Sequence, residues 1–453
     1  MAGAAAAGTF PGGAGDAAGG SADPAAAQPV LTSRRARWGS ATFGSLRTRN
    51  YRLFATGQVV SNTGSWMQRV AQDWLVLNLT HNSGAALGIT TGLQFLPMLF
   101  SMWGGAVADR YSKRGILMVT QALMGGLALI LGVLALTGTV RIWHVYLLAF
   151  ALGMVTVVDN PTRQAFAVEM VGKDGMANAI ALNRAVFNLA RIAGPAVAGL
   201  VISLVGTPAA FMVNAASYGA VLISLKLMRP DELHRVARAP RASGQLHEAL
   251  AYVRARPQLW MALILIFFVS TFGMNFQVTT ALMSRGVFHT GAGAFGIAST
   301  VFAAGALGGA LIAARRKKPT LGLLVLTALA FGVLETLDGL MPDFVSFLVV
   351  LIPTGLAVLT LTTAANSTMQ LGTTASMRGR VMGLYMLVFL GGTPLGAPLA
   401  GWLAEVSGPR MIMVVGGLIS ALAAIGVGLA LVHRSGVPAR RYLSPARLAR
   451  IVT

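Results

Sequence analysis

Long apolar stretches alternate with short polar connections from about residue 53 to about residue 432. Each stretch is near twenty residues long, which is the length that a helix needs to cross the hydrocarbon core of a bilayer. The stretches cover residues 53–79, 85–108, 114–137, 142–161, 178–204, 208–228, 258–284, 292–314, 319–340, 344–370, 381–404 and 410–432. The pattern predicts an all-α membrane protein of about twelve transmembrane helices.

The composition excludes several classes of protein. Hydrophobic residues make up 55% of the chain and charged residues 11%, with a mean hydropathy of +0.68; soluble domains carry roughly 25% charged residues. The absence of cysteine excludes disulfides and thiolate metal sites. The six histidines are scattered over loops and helix ends, and no Gly-x-x-x-x-Gly-Lys-[Ser/Thr] phosphate-binding loop occurs. We therefore expect neither an enzyme nor an ATP-driven pump, and no cofactor.

The net charge of +21 is distributed by topology. The basic residues fall in short runs between apolar stretches, whereas a nucleic-acid-binding domain would gather them on one face. Of the 35 Lys and Arg residues, 29 lie in the tails and in the connections on the same side, while the opposite connections hold only Arg141, Arg285 and Arg410. By the positive-inside rule both termini lie in the cytoplasm. The excess of Arg over Lys, 30 to 5, is typical of a GC-rich bacterium, so the expected location is the bacterial inner (plasma) membrane.

The segments outside the apolar stretches are also predictable. The first 42 residues have few large apolar side chains to offset the entropy of ordering, and they lack a signal-peptide pattern. A short helix from Gln245 to Tyr252 in the basic linker should lie against anionic lipid headgroups; a regulatory partner site is the alternative. The predicted divisions are a disordered cytoplasmic tail (1–42), an N-terminal six-helix bundle (43–228), a basic cytoplasmic linker (229–257), a C-terminal six-helix bundle (258–433) and a basic cytoplasmic tail (434–453).

An internal repeat supports two similar halves. The run from Gly104 to Arg114 matches the run from Gly308 to Lys318, 204 positions later, in its glycine pair, small residues and terminal cations. Gly194 and Gly199 match Gly396 and Gly401, 202 positions later. Parallel repeats of this kind place the substrate near the bilayer midplane, between the halves.

Three motifs resemble the major facilitator superfamily over roughly residues 43 to 432. The first, from Gly105 to Arg114, resembles the superfamily's signature loop between spans two and three. The second includes Gly194, Pro195 and Gly199 and resembles the Gly-Pro motif of its exporter branches, although Ala190 stands where Gly is usual and a single Gly ends the motif. Residues 72–77 and 159–166 look like the bacterial drug-efflux and enterobactin-exporter-like branch. The resemblance implies alternating access with no catalytic residues and no metal.

The resemblance also implies a gating motif on the cytoplasmic side. In it Asp109 would accept hydrogen bonds from the start of span eleven, near Arg380 and Val381, when the transporter faces outward. Asp159 and Arg163, spaced i,i+4, should form an exposed pair at the end of span four, and the resemblance suggests that they join the Asp109 network. The predicted gating residues are Gly105, Asp109, Arg110, Lys113, Arg114, Asp159 and Arg163. For the basic residues of the loop, a purely topological role is the alternative.

Span one carries the most informative pattern. Polar residues recur along it at spacings of three and four, so that they share one helix face: Gln58, Asn62, Ser65, Arg69 and Asp73. Span five repeats the feature with Arg184, Asn188 and Arg191. Charged residues inside a span should face a cavity or a partner, because exposure to lipid costs about 2.5–3.5 kcal/mol. The predicted proton and substrate pathway comprises Asn62, Arg69, Asp73, Asn188 and Arg191.

Asp73 is the candidate proton carrier, and a permanent ion pair with Arg69 is the alternative. Two buried arginines against one acid would suit an anionic or catecholate-like substrate. The second half has no central acid, since Glu335 and Asp338 fall near the outer end of span nine and should face periplasmic water. A cation vestibule is their alternative role.

These features favour proton-coupled export, by antiport, of small amphipathic molecules such as antibiotics or siderophores, by a monomer. The importer alternative is proton-coupled uptake of a small anionic metabolite. A non-transporting membrane protein is disfavoured, because arginines inside the membrane without a function would be costly.

Overall fold

Twelve long helices follow one another through the described part of the chain. The computed structural model describes residues 43–234, 245–314 and 320–435; the predicted N-terminal tail, the middle of the linker and most of the C-terminal tail lie outside these ranges. The helices are α1 (Arg49–Leu79), α2 (84–110), α3 (Lys113–Leu136), α4 (Ile142–Gly172), α5 (Gly175–Val205), α6 (Thr207–Lys226), α7 (Pro257–Val287), α8 (Ala292–Ala314), α9 (Leu321–Leu340), α10 (Phe344–Leu371), α11 (Arg378–Ser407) and α12 (Pro409–Ser435). A short helix, Gln245–Arg254, which we call the linker helix, precedes α7.

The predicted all-α membrane fold is confirmed. Within the described ranges, ten of the helices are long and apolar enough to cross a bilayer. The other two are α1, which carries the polar stripe, and α2, which is interrupted by a 3-10 turn at Leu96–Phe100. Pro97 near the start of that turn lacks the N–H that an α-helix would use there. The helix α11 breaks at Gly392, next to Gly391 and shortly before Pro394.

The connection between α4 and α5 differs from the prediction. The sequence predicts a span that ends near residue 161 and a polar loop up to residue 178, but α4 continues to Gly172. Pro161 lies inside the helix and does not end it, and the Thr162 hydroxyl donates back to the Val158 carbonyl at 2.7 Å. The chain turns at Gly172, whose φ of +69° is a conformation that glycine adopts without strain.

Two helix pairs join the predicted halves. We call the side where α1 begins and α12 ends the terminal face, and the side where α1 ends and α2 begins the hairpin face. Near the hairpin face α2 packs on α11 and α5 packs on α8, which pairs the second helix of each half with the fifth of the other. Gly84 and Gly401 meet in the first pair, and Gly199 and Gly293 in the second. The division into two bundles stays a prediction, but these pairs follow the repeat.

The helix pairs are closed at the hairpin face and open toward the terminal face. Along one face of α5, Pro195 and Gly199 contact α8 near the hairpin face, whereas Ala181 and Arg184, nearer the terminal face, are exposed. Only small residues let helix backbones approach this closely in a bilayer, where van der Waals packing replaces the hydrophobic drive. The glycines therefore hold the hairpin face shut.

We expect Gly88→Val to open the hairpin face. A Cβ at Gly88 would overlap the backbone carbonyl of Ala397 on α11, and forcing it in should cost about 1–3 kcal/mol in the closed state. That cost corresponds to roughly a 5- to 150-fold shift of the equilibrium toward the open state. Because the chain has no cysteine of its own, a single Ala292→Cys, now 6% exposed on α8, reports opening through its rate of thiol labelling.

Gly126→Val is the matched control, because a Cβ at Gly126 meets nothing within 4 Å among the described residues. It should leave the labelling rate of Ala292→Cys unchanged. Equal labelling in the Gly88 and Gly126 variants would mean that the α2–α11 glycine contact does not control closure.

Candidate functional site

The polar stripe of α1 serves three different neighbours. Gln58 and Asn62 accept hydrogen bonds from Arg163 of α4, the second at 3.0 Å. Ser65 and Tyr218 of α6 share a hydrogen bond of 3.0 Å between their hydroxyls. Asp73, closest to the hairpin face, turns toward α7. The stripe therefore consists of contacts that fix α1 among its neighbours, and Asp73 lies at the end of the stripe nearest the hairpin face.

Asp73 lies at the seam between the two predicted halves and is completely buried. Its Oδ1 accepts a hydrogen bond of 3.1 Å from Nε2 of Gln277 on α7, and within the described ranges its Oδ2 has no hydrogen-bond partner. Gln277 follows Asp73 by 204 positions, the offset that relates the two motif loops of the repeat. Equivalent positions of the two halves thus meet at the seam, one as an acid and the other as an amide.

Arg69 does not pair with Asp73. Its guanidinium lies 4.7 Å from the centroid of the Trp66 ring and 5.7 Å from that of Phe95, and neither carboxylate oxygen of Asp73 accepts a hydrogen bond from it. The permanent ion pair considered from the sequence is not formed. Cation–π contacts of this kind are worth about 0.5–2 kcal/mol, and they offset part of the cost of placing the guanidinium inside the bundle.

Arg191 of α5 provides a second, partly buried cation. Its Nη2 atom is buried without a hydrogen-bond partner in the part of the chain that the structure describes. One turn further along α5, Gly194 lies against the Cβ of Trp66, and the Trp66 ring packs edge-on against Phe187 at 5.8 Å. Arg191 follows Phe187 by four positions and so lies on the same face of α5. We group Trp66, Arg69, Phe95, Phe187 and Arg191 under the name cation–aromatic cluster.

The other predicted pathway residues have different surroundings. Asn188 donates from Nδ2 to the carbonyl of Arg184 in its own helix at 3.0 Å, so it does not join Arg191 and Asp73 in one network. Phe276 of α7 is 7% exposed and stacks on Phe302 at 4.2 Å. It belongs to the hydrophobic core around α7.

The predicted exporter motif packs α5 between two helices. Gly194 contacts α1 through Trp66, and the carbonyl of Pro195 lies against Gly296 of α8. Gly199 contacts Gly293 at the start of α8. These residues bring α5 close to both halves at once.

The Asp159–Arg163 pair is buried, which corrects the expectation of an exposed pair. Arg163 bonds Asp159 through Nε at 3.1 Å and also through Nη2. The Asp159 side chain, 1% exposed, also accepts from the Thr120 hydroxyl at 2.7 Å and from Nε2 of Gln121 at 2.8 Å. Because α4 continues past Pro161, both residues face the helix bundle, and the pair joins α1, α3 and α4.

The basic residues of the signature loop make specific contacts. Lys113 forms an ion pair of 2.5 Å with Glu169, which lies on the part of α4 that continues past Pro161. Arg114 donates from Nε to the carbonyl of Leu225 at 2.8 Å and so caps the end of α6. Gly105 is buried, while Asp109 and Arg110 are exposed at the end of α2.

The predicted partner of Asp109 is engaged elsewhere. Arg380, at the start of α11, forms an ion pair of 2.5 Å with Glu248 of the linker helix. Tyr252 of the same helix donates to the Thr374 hydroxyl at 3.3 Å and accepts from the Thr374 amide at 3.1 Å. The linker helix is thus fastened to the start of α11 at the terminal face.

Glu335 and Asp338 are buried at 1% and 0% exposure, so the expectation that they face water is wrong. The glycines of α9 explain the difference, since Gly332 and Gly339 lie directly against α12. Residues at positions 332, 335 and 339 share a helix face. The spacing of these positions in the sequence therefore indicates burial of Glu335, whereas its place near the end of the span led to the prediction of exposure. Among the described residues there is no group of three or more potential metal ligands.

Comparison with known proteins decides the family. The family model described as transmembrane secretion effector, a branch of the major facilitator superfamily, matches residues 40–447. The chain belongs to this family. It is therefore a multi-pass membrane transporter of small molecules and not an enzyme, and bacterial relatives support a plasma-membrane location.

Two curated relatives illustrate the range of the family. The staphyloferrin A transporter of Staphylococcus aureus is 27% identical over 250 residues, covering 54% of this chain and 62% of that transporter's length. The multidrug efflux pump Tap of Mycobacterium tuberculosis is 27% identical over 391 residues, covering 79% of this chain and 87% of the pump. The first match thus spans less than two thirds of its relative.

Solved structures confirm the fold. A bacterial homologue of the human lysosomal transporter Spinster, in an inward-facing and unoccupied conformation, aligns with a TM-score of 0.66 at 16% identity over 84% of this chain and 97% of that chain. The nucleoside transporter NupG aligns with a TM-score of 0.65 at 12% identity over 83% of this chain and 98% of that one.

Proposed function

We propose that this transporter exports small amphipathic molecules in exchange for protons. The single observation that carries the proposal is Asp73, a fully buried carboxyl at the seam between α1 and α7 with one oxygen free of protein partners among the described residues. A carboxyl at a seam changes its surroundings when the halves rock, so its affinity for protons changes with the state of the transporter.

In this exchange Asp73 takes up one proton at Oδ2 and later releases it. In the state open at the hairpin face, water would reach this oxygen and protonate it. In the state open at the terminal face, the positive charge of Arg69 would favour loss of the proton to water on that side, and the substrate would then bind beside the arginine. Asp73 then pairs electrostatically with the arginine after the substrate has left, until it is protonated again.

The cation–aromatic cluster supports an aromatic substrate that carries an anionic or electron-rich group. Arg69 and Arg191 supply positive charge, while Trp66 and Phe187 supply apolar surface, and the side chains of Phe187 and nearby Arg184 are exposed toward the open side. Binding sites for small molecules combine mostly apolar walls with a few placed polar groups. The two arginines also favour the second candidate, uptake of a small anionic metabolite.

Direction and orientation rest on the sequence and the relatives. The excess of Lys and Arg in the connections at the terminal face supports a cytoplasmic location for that face. The hairpin face then lies outside, so the conformation described above is closed to the outside. The name of the relative Tap, a multidrug efflux pump, and the exporter-like motif at Gly194 and Pro195 support outward transport. We further propose that the protein acts as a monomer and that the linker helix lies against anionic headgroups.

The deciding experiment measures transport into inverted vesicles of known orientation. A panel of lipophilic dyes, antibiotics and a catecholate siderophore is added outside, with and without a protonophore. The proposal expects accumulation of at least one compound that collapses with the protonophore. Accumulation only in right-side-out vesicles would support the importer, and transport that ignores the protonophore would contradict proton coupling.

We expect the Glu248–Arg380 ion pair to favour the state that is open at the terminal face. Glu248→Gln would release Arg380 and the start of α11, which the resemblance pairs with Asp109 in the opposite state. Because the pair is partly exposed, its effect should be modest, about a two- to fivefold fall in the rate of thiol labelling at Ala181→Cys on α5.

Glu232→Gln is the matched control, because it breaks an exposed ion pair with Arg229 away from α11. The rate of thiol labelling at Ala181→Cys should be the same with and without Glu232→Gln. If both variants label alike, the linker helix has no part in gating. High salt should reduce the difference between them.

A further inference from the structure

A buried carboxyl pair lies in the second half, apart from the site at Asp73. Glu335 and Asp338 are one turn apart on α9 and share a face. Oδ2 of Asp338 accepts a hydrogen bond of 2.7 Å from the Thr354 hydroxyl on α10, while its Oδ1 has no partner. Glu335 makes no hydrogen bond or ion pair with any residue that the structure describes, and its Oε2 is buried.

Two glycines on different helices make room for the Glu335 carboxyl. A Cβ at Gly273 of α7 would lie 2.7 Å from Oε2, and a Cβ at Gly416 of α12 would lie 3.1 Å from Oε1. Gly273 ends a π-helical turn at Val269–Gly273, a feature frequent at functional sites. An alanine at either position would collide, so the slot between α7, α9 and α12 is shaped around this side chain.

No cation among the described residues neutralises the pair. Arg410 of α12 lies at the same end of α9, but its Nη1 donates to the carbonyls of Gly339 at 3.0 Å and Met341 at 2.6 Å. Asp343, before α10, is exposed and bonds the amides that begin that helix. The π-helical turn of α7 contributes no charged residue. Two ionised carboxylates in this slot would be too costly to bury, since even one uncompensated charge in a membrane interior costs several kcal/mol.

We propose that Glu335 and Asp338 form a second proton-binding site, which holds at least one proton on the pair and releases it during the transport cycle. A metal cation fits less well, because among the described residues no third acidic or histidine side chain joins the pair, whereas Ca²⁺ takes six to eight oxygen ligands and Mg²⁺ an octahedron of them. The positions 204 residues earlier hold Leu131 and Leu134, so the site occurs in one half only.

The helix α7 connects the two carboxyl sites. Gly273, which contacts Glu335, precedes Gln277, the hydrogen-bond partner of Asp73, by one turn. A change in the protonation of Glu335 would therefore act on the same short segment that holds Asp73. This coupling rests on the proposed function, whereas the binding of the proton does not.

The test is modification by dicyclohexylcarbodiimide, an apolar reagent that reacts with protonated carboxyls, on the full chain in liposomes. Peptide mass spectrometry measures the modified fraction of Glu335 between about pH 5 and about pH 10, a range that brackets shifted carboxyl pKa values. We expect modification that falls at least tenfold as the pH rises, and a changed midpoint in Asp338→Asn. Asp343→Asn, which keeps a residue suited to begin a helix, should change nothing.

Three results would overturn the proposal. These are a Glu335 that never reacts, a modification that is independent of pH, and protection by Na⁺ at constant pH, which would indicate a cation in place of the proton. Asp73→Asn separates this inference from the proposed function, because the Glu335 reaction should persist in that variant even where transport is lost. Glu335→Gln, checked for folding by size exclusion, should remove the modified peptide.

Discussion

Asp73→Asn should abolish proton-driven transport, with a loss on the order of a hundredfold, the scale expected when a proton-transferring group is removed. The asparagine side chain has the same shape, and its oxygen can still accept the hydrogen bond that Gln277 donates at 3.1 Å. The fold should therefore persist while the titratable group is lost. The measurement is uptake of a transported compound into inverted vesicles under an imposed pH gradient, with protein amount and melting temperature checked alongside.

An exchange of the two seam residues tests the same idea more strictly. In Asp73→Gln combined with Gln277→Asp, one acid still faces one amide across the seam between α1 and α7, so transport should recover by at least about tenfold over Asp73→Gln alone. Asp343→Asn, an exposed acid near the hairpin face, serves as the control for loss of a carboxylate. Full proton dependence in Asp73→Asn would assign Asp73 a structural role and leave coupling to another group.

The sequence predicted the residues of the site better than their neighbours. The spacing of Arg69 and Asp73 placed both on one face of α1 and raised two possibilities, a proton carrier and an ion pair. Only the packing of α1 against α7 reveals Gln277 as the partner of Asp73. The repeat offset relates these two positions, but a linear offset does not say that equivalent positions touch.

Helix periodicity fixes a face and leaves the depth of burial open. Asp159 and Glu335 were both assigned to water because they fall near predicted span ends, and both are buried. For Asp159 the cause is the continuation of α4 beyond Pro161, and for Glu335 it is close contact with α12 through glycines. Both depend on how whole helices dock, which short-range sequence patterns do not encode.

The buried Asp159–Arg163 pair should be the largest single contributor to stability among the gating residues. Asp159→Asn would leave Arg163 as a charge without a counter-ion and weaken the bonds that Thr120 and Gln121 donate. Breaking such a pair by removing one partner costs about 3–5 kcal/mol, and here three helices, α1, α3 and α4, share the loss. The expected result is a marked fall in the melting temperature of the detergent-solubilised protein.

Two further variants separate the charge effect from a general sensitivity of this region. Asp159→Asn combined with Arg163→Met removes both charges, so it should be more stable than Asp159→Asn alone, since no buried charge is left unpaired. Glu169→Gln breaks the Lys113 pair, which retains some solvent exposure, and should cost about 1 kcal/mol or less. A double variant as unstable as the single one would mean that the hydrogen bonds to Gln58 and Asn62, and not the balance of charge, hold α1 to α4.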